Sequence, residues 1–219
     1  MLSEHNREQL AALRRLIEKC KSDADNKNLF ELEQRCNENI HGENGICGLV
    51  GHFLVAVREN EKEDIGVLAH TAKQLFAILD KNKLARWFAE QTSGINSWHL
   101  LLSALSEAAS IDGKKIFSDT ANIVNFLIEK CDPQPLATGF SNKITSNNED
   151  NGITGWYLLM HALAVVSYKD AKENIKVIID IINKLSEKCD AKLLAAGLFE
   201  QTTQGRSAGK NAWHFLMSA

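Results

Sequence analysis

"GINSWHLLLSAL" (94–105) and "GITGWYLLMHAL" (152–163) are nearly the same phrase, and "GKNAWHFLMSA" (209–219) is a third copy. Trp98, Trp156 and Trp213 stand 58 and 57 residues apart. Other phrases recur on the same spacing. "FLIEKCD" (126–132) and "KLSEKCD" (184–190) are 58 apart, and "RLIEKCK" (15–21) is a further copy. "LARWFAEQT" (84–92) matches "LAAGLFEQT" (194–202), and "HFLVAV" (52–57) matches "HFLMSA" (214–219). That last match sets Gly51 in the tryptophan position of the first copy. Repetition at this period is the signature of a stacked array. It divides the chain into four units, at about 3–60, 61–111, 112–169 and 170–219.

Each unit has three apolar-periodic segments, B, C and A in chain order. In B, Ile178, Ile181, Ile182 and Leu185 fall at 0, 3, 4 and 7, and Leu68, Ala72, Leu75, Phe76 and Leu79 form the matching stripe. In A, Trp98, Leu101, Leu102 and Leu105 have that spacing, as do Trp156, Leu159, Met160 and Leu163. C is shorter, with Leu84 and Phe88, Leu136 and Phe140, or Leu194 and Leu198 four apart. These are one-sided helical stripes. No stretch alternates with period two, so the spacing predicts an all-α fold: an α-solenoid of about four units with three helices each.

The punctuation agrees with three helices per unit. Pro133 and Pro135 follow "EKCD", where a helix must stop. Asp64, and Ser118 or Asp119, are candidate caps for B segments. The runs "RENEKEDIG" (58–66) and "DGKK" (112–115) read as solvated turns between A and B. A polar, glycine-bearing loop joins C to A in every unit. There the glycine allows a tight turn, and Asn96, Thr154 and Asn211 can accept hydrogen bonds from the first free N–H groups of A. The tryptophan then starts the buried stripe. Its indole covers ~200 Å² at ~25 cal/mol per Å², up to ~5 kcal/mol before entropy. Trp98, Trp156 and Trp213 are therefore read as equivalent core positions, and His99, Tyr157 and His214 as equivalent neighbours.

Composition excludes several functions. The 219 residues carry a net charge of −3, which gives nucleic acid or an anionic membrane nothing to recognise. No apolar run approaches the ~20 residues of a membrane span. The first ten residues, "MLSEHNREQL", are too polar for a signal peptide. Five cysteines without framework spacing suggest reduced thiols and a cytoplasmic, reducing compartment.

The run Gly-x-(Asn/Thr)-x-Trp-(His/Tyr)-x-Leu, at 94–101 and 152–159, resembles the opening of an ankyrin repeat, Gly-x-Thr-Pro-Leu-His-x-Ala. Gly209, Asn211, Trp213, His214 and Leu216 keep the spacing. "NIVNFLIEKCD" (122–132) is similar to the end of an ankyrin second helix. Segment C lies outside the resemblance, the period of about 57 exceeds the ankyrin ~33, and Cys131 and Cys189 stand where that motif has glycine. The resemblance is thus to a divergent, ankyrin-like helical array with an extra helix per unit. It implies a curved array that binds another protein partly through loops along one edge. In the family, the histidine position ties neighbouring loops by hydrogen bonds. Divergent arrays of this kind also resemble effectors of intracellular bacteria, which implies a host protein as partner and delivery into a host cell.

Chemistry has few places to reside. Cys20, Cys131 and Cys189 share one repeat position at helix ends, where the negative dipole disfavours a thiolate. Cys36, His41, Cys47 and His52 form the densest Cys/His run, but C-x4-H-x5-C-x4-H is not a zinc spacing. No phosphate-binding loop, hydrolase elbow, H-E-x-x-H or kinase signature is present. The expectation is therefore a non-enzymatic protein–protein interaction scaffold, with no cofactor and no metal. Candidate contacts lie in the C–A loops: Thr92, Ser93, Lys143, Asn147, Asn148, Glu149, Asp150, Gln204, Arg206 and Lys210. One alternative is a Cys/His enzyme using Cys36, His41, Cys47 and His52. Another is the regulatory or targeting region of a larger effector enzyme. On that alternative the last A segment, about eight residues long against about fourteen, is a helix cut short, with a catalytic region beyond Ala219.

Overall fold

A computed structural model describes residues 3–22, 26–37, 39–40, 43–91, 93–111, 114–145, 151–190, 192, 198–199 and 209–218. The chain is all-α, as the periodicity predicts. The one two-stranded sheet among the described residues joins β1 (Asn39–Ile40) to β2 (Glu43–Asn44), antiparallel. The helices come in a recurring long, short, medium order. The B helices are α1 (Glu4–Ser22), α4 (Lys62–Ile78), α7 (Lys114–Lys130) and α10 (Lys172–Lys188). The C helices are α2 (Asn26–Asn37), α5 (Lys81–Ala89) and α8 (Pro133–Ser141). The A helices are α3 (Gly45–Arg58), α6 (Ser97–Ser110), α9 (Gly155–Tyr168) and α11 (Ala212–Ser218).

Like packs on like. Among the A helices, α3 packs on α6, α6 on α9 and α9 on α11; among the B helices, α1 meets α4, α4 meets α7 and α7 meets α10; α5 packs on α8. One core runs from Leu16 to Ala212. A file of rings threads its centre. Phe76 meets Phe88 at 5.3 Å, Phe88 meets Trp98 at 5.1 Å, Trp98 meets Phe140 at 4.9 Å, and Phe140 meets Trp156 at 5.5 Å. Ring pairs at such separations add to simple area burial.

Lysine side chains tie successive B helices together through main-chain carbonyls. Lys130 Nζ donates to the Phe76 and Ala77 carbonyls at the end of α4, and Lys188 Nζ donates to Ile128 and Glu129 at the end of α7. A cation here satisfies carbonyls that a helix C-terminus leaves unpaired. The residue that follows α4, α7 and α10 is apolar and buried: Leu79, Cys131, Cys189. Leucine in the cysteine position shows what the position requires, which is apolar volume. All five thiols are free.

The structure corrects several expectations. The first-unit register is Ile46, not Gly51, in the tryptophan position and Cys47, not His52, in the histidine position. Helix starts at Gly45, Ser97, Gly155 and Ala212 require it. The "HFL" match was a coincidence five residues out of register. Trp213 is not equivalent to the other two indoles: Trp98 and Trp156 are fully buried, while Trp213 is 41% exposed. The reason is that Trp98 lies between rings of its own and the next C helix, whereas Trp213 meets Phe199 of its own unit. Asp64 does not cap α4, which starts at Lys62 after Glu61. Ser118 and Asp119 do not cap α7, which starts at Lys114; Asp119 instead pairs with Lys115. Of "RENEKEDIG" only residues 59–61 lie between helices. Lys114 and Lys115 of "DGKK" belong to α7, and 112–113 lie outside the described residues. Pro133 and Pro135 do follow a helix end, and they also open α8, where a missing N–H costs nothing.

Candidate functional site

The candidate site is the edge made by the loops that lead from C into A. Its geometry begins with three glycines. Gly94, Gly152 and Gly209 have φ of +81°, +86° and +78°, the left-handed region that residues with a Cβ avoid. Two residues later comes the cap. Asn96 Oδ1 accepts from the His99 N–H at 2.9 Å, Thr154 Oγ1 from the Tyr157 N–H at 3.2 Å, and Asn211 Oδ1 from the His214 N–H at 3.2 Å. All three caps stand where the sequence put them.

The cap of α6 reaches beyond its own unit. His99 Nδ1 accepts from the Asn96 N–H at 3.3 Å, which assigns the ring proton to Nε2 in the neutral tautomer. Nε2 then donates to the Asn142 carbonyl at 2.8 Å. Asn96 Nδ2 donates to the Gly139 carbonyl at 3.0 Å. Burial pushes the His99 pKa down to about 4, so the ring is neutral at physiological pH.

Above this, the loops are joined side by side. The Thr145 N–H donates to the Gly94 carbonyl at 2.9 Å, and Gln91 Nε2 donates to the Lys143 carbonyl at 2.6 Å. Within the third unit's loop, Lys143 and Thr154 form an antiparallel bridge, and the Ile144 N–H donates to the Ile153 carbonyl at 2.8 Å. A small apolar cluster of Ile144, Ile153 and Tyr157, with Ile95 and Phe215 against it, underlies the edge.

Of the candidate contacts, Ser93 and Lys143 come together on adjacent loops. Ser93 is exposed and holds a φ of +53°. Lys210 is exposed beside the α11 cap, at the next loop along. Thr92, Asn147, Asn148, Glu149, Asp150, Gln204 and Arg206 lie outside the described residues. Sequence reasoning missed Gln91, Asn142 and the paired isoleucines. Only the isoleucines left a signal, as the residue after glycine in "GIN" and "GIT".

The Cys/His run does not assemble around a shared centre among the described residues. Cys36 and Cys47 are buried in α2 and α3, and His41 lies outside the described residues. Burial, reinforced by Glu33, pushes the Cys36 thiol up to about 12. Among the described residues no three His, Cys, Asp or Glu side chains form a group that could hold a metal, and no helix is long and apolar enough to cross a membrane. A shallow groove lined by Asn37, Arg86, Glu90, Gln134, Pro135 and Thr138 runs across the C helices.

No family model, no curated protein and no solved structure matches this chain.

Proposed function

We propose that the chain is a non-enzymatic scaffold for protein–protein interaction, an α-solenoid of about four ankyrin-like units that binds its partner along the C–A loop edge. The single observation that carries this reading is the joining of adjacent loops. The Thr145–Gly94, Gln91–Lys143 and His99–Asn142 hydrogen bonds fix Ser93 and Lys143 on one edge. A preordered edge loses less conformational entropy on binding than free loops do. The partner is another protein; a host protein fits the resemblance to bacterial effectors, and so does a role as the targeting region of a larger effector. A thiol enzyme is disfavoured by the Cys36 thiol, which is buried and almost wholly protonated at neutral pH.

The test is capture of a partner from a eukaryotic lysate by the immobilised full chain. Charge reversal at Glu149 and Asp150, together with Lys143→Glu, is expected to abolish capture and leave the melting temperature unchanged. Lys176→Glu, on exposed α10, serves as control and is expected to retain it. Capture that survives the loop changes, with a lowered melting temperature, would sink the reading.

A further inference from the structure

We infer that the groove across the C helices docks an extended segment of a partner protein, one that carries an acidic and a basic side chain two residues apart. The groove has a volume of about 620 Å³, within the range of ligand sites. Arg86 of α5 and Glu90, which follows that helix, line it together with Asn37 of α2 and Gln134 of α8. Other charges on the C helices are paired. Lys81 Nζ lies 3.0 Å from Asp132, Lys83 Nζ lies 2.6 Å from Glu33, and Arg35 leans toward Glu31 at 3.9 Å. Arg86 and Glu90 stand four apart, the spacing at which opposite charges on a helix meet. Both are exposed, and neither side chain has a partner among the described residues. Counted from the helix ends, Arg86 corresponds to Gln34 of α2 and Thr138 of α8, and Glu90 corresponds to Asn142. The two charges belong to the middle of the groove and are no requirement of the stack.

The free groups specify the occupant. Arg86 and Glu90 are one helical turn apart, about 6 Å along the axis. Side chains i and i+2 of an extended segment share a face and stand about 6.6 Å apart. An acidic residue on Arg86 therefore sets the residue two further along on Glu90, and charge requires that residue to be basic. Asn37 and Gln134 carry side-chain amides, each with donors and an acceptor, which suit the main chain of such a segment. Gln134 adds a main-chain donor. Asp132 gives α8 no side-chain cap, and Pro133 and Pro135 carry no N–H, so the Gln134 N–H is the one main-chain donor between Asp132 and Leu136. It meets no acceptor among the described residues. A docked helix also matches a 6 Å spacing. Its main chain is satisfied within itself, however, and leaves the groups of Asn37 and Gln134 unused. Neither Ser93 nor Lys143 lines the groove, so the inference stands without the loop edge.

The probe is a short, blocked, fluorescein-labelled peptide with Glu-Val-Lys at its centre, flanked by Ser, Thr and Gly. Its comparators carry Gln-Val-Gln or Glu-Val-Glu in the same frame. Anisotropy titration with the full chain gives the affinities. An exposed ion pair is worth about threefold in affinity, so the full chain is expected to bind Glu-Val-Lys about tenfold tighter than Gln-Val-Gln. Arg86→Ala is expected to weaken the Glu-Val-Lys and Glu-Val-Glu peptides alike. Glu90→Lys is expected to reverse their order, so that Glu-Val-Glu binds the tighter. Both variants change exposed side chains and are expected to keep the melting temperature of the parent. Lys176→Glu, on α10, is the control and is expected to keep the parent affinities. Glu-Val-Lys that fails to bind the full chain up to about 1 mM overturns the proposal. So does an order of peptides that Glu90→Lys leaves unchanged. Helical circular dichroism gained by the peptide on binding overturns it too, because the occupant is then a helix.

Discussion

Gly139 of α8 lies flat against the Trp98 indole of α6: a Cβ placed on it would come within 2.4 Å of Cδ1. A glycine inside a helix ordinarily costs about 1 kcal/mol relative to alanine. Here the sign is expected to reverse. Trp98 is fully buried between Phe88 and Phe140, so the ring has nowhere to move. Overpacking of this kind costs about 1–3 kcal/mol, more than the helix gains. Gly139→Ala is expected to lower stability by about 1 kcal/mol in urea denaturation. In a Trp98→Leu background the same change is expected to be neutral or stabilising. A stabilised single variant would show that the contact is loose.

The three tryptophan positions are expected to separate in a truncation series. Trp98→Ala and Trp156→Ala remove fully buried indoles and should cost about 3–5 kcal/mol each. Trp213→Ala, with its ring 41% exposed, should cost less than half of that. Equal losses at all three, measured by chemical denaturation of the full chain, would restore the equivalence that the sequence suggested.

His99 makes the fold sensitive to acid. Its pKa is about 4 in the folded chain, held down by burial against the pull of the Asn142 carbonyl, and near 6.5 when unfolded. Between those values the unfolded chain binds a proton that the folded chain does not. Stability from this group is complete above about pH 6.5, falls as the pH drops through that value, and levels off below about 4. The gap corresponds to roughly 3 kcal/mol. His99→Gln is expected to be less stable at pH 7.5, since it loses the paired ring, and to show a flatter pH profile from 6.5 to 4. An unaltered profile in the variant would assign the acid sensitivity to the carboxylates.

How far the sequence could be read follows from which interactions leave a residue-level trace. The caps at Asn96, Thr154 and Asn211 were legible because only a short side chain with an acceptor can do that work. The starts of α4 and α10 were not. There the turn is set by main chain, with the Glu61 N–H on the Ala56 carbonyl at 2.9 Å and the Ala171 N–H on Val166 at 3.0 Å, and neither Glu61 nor Ala171 makes a side-chain cap. The first-unit register was misread for a different reason. The tryptophan position needs filled volume rather than an indole. Ile46 holds on α3 the place of Trp98 on α6, and Trp87 holds on α5 the place of Gly139 on α8, so the large residue sits on the C helix in one pair and on the A helix in the next. Search for a repeated letter misses an exchange that conserves volume. Of the loop edge, composition showed polar turns, whereas the Gly94, Lys143 and Asn142 contacts are made by carbonyls that every residue carries.

The thiols supply a last test, which also bears on the enzyme alternative. Burial pushes Cys36 and Cys131 up to about 12 and raises Cys189 as well. At pH 8 a pKa near 12 leaves on the order of one thiolate in ten thousand, against about a quarter for a free cysteine. Cys20 is half-buried, and its smaller rise comes from burial and then Glu31. Alkylation of the folded chain at pH 8 is therefore expected to label Cys20 first, with Cys36 and Cys131 reacting only at the rate of unfolding. Peptide mapping of the labelled sites distinguishes them. Rapid labelling of Cys36 in the folded state would mean an accessible, activated thiol, and would return the Cys/His alternative to contention. Cys131→Leu imitates Leu79 at the same helix end, and is expected to hold the melting temperature better than Cys131→Ser, which buries a hydroxyl at a cost of about 1–3 kcal/mol.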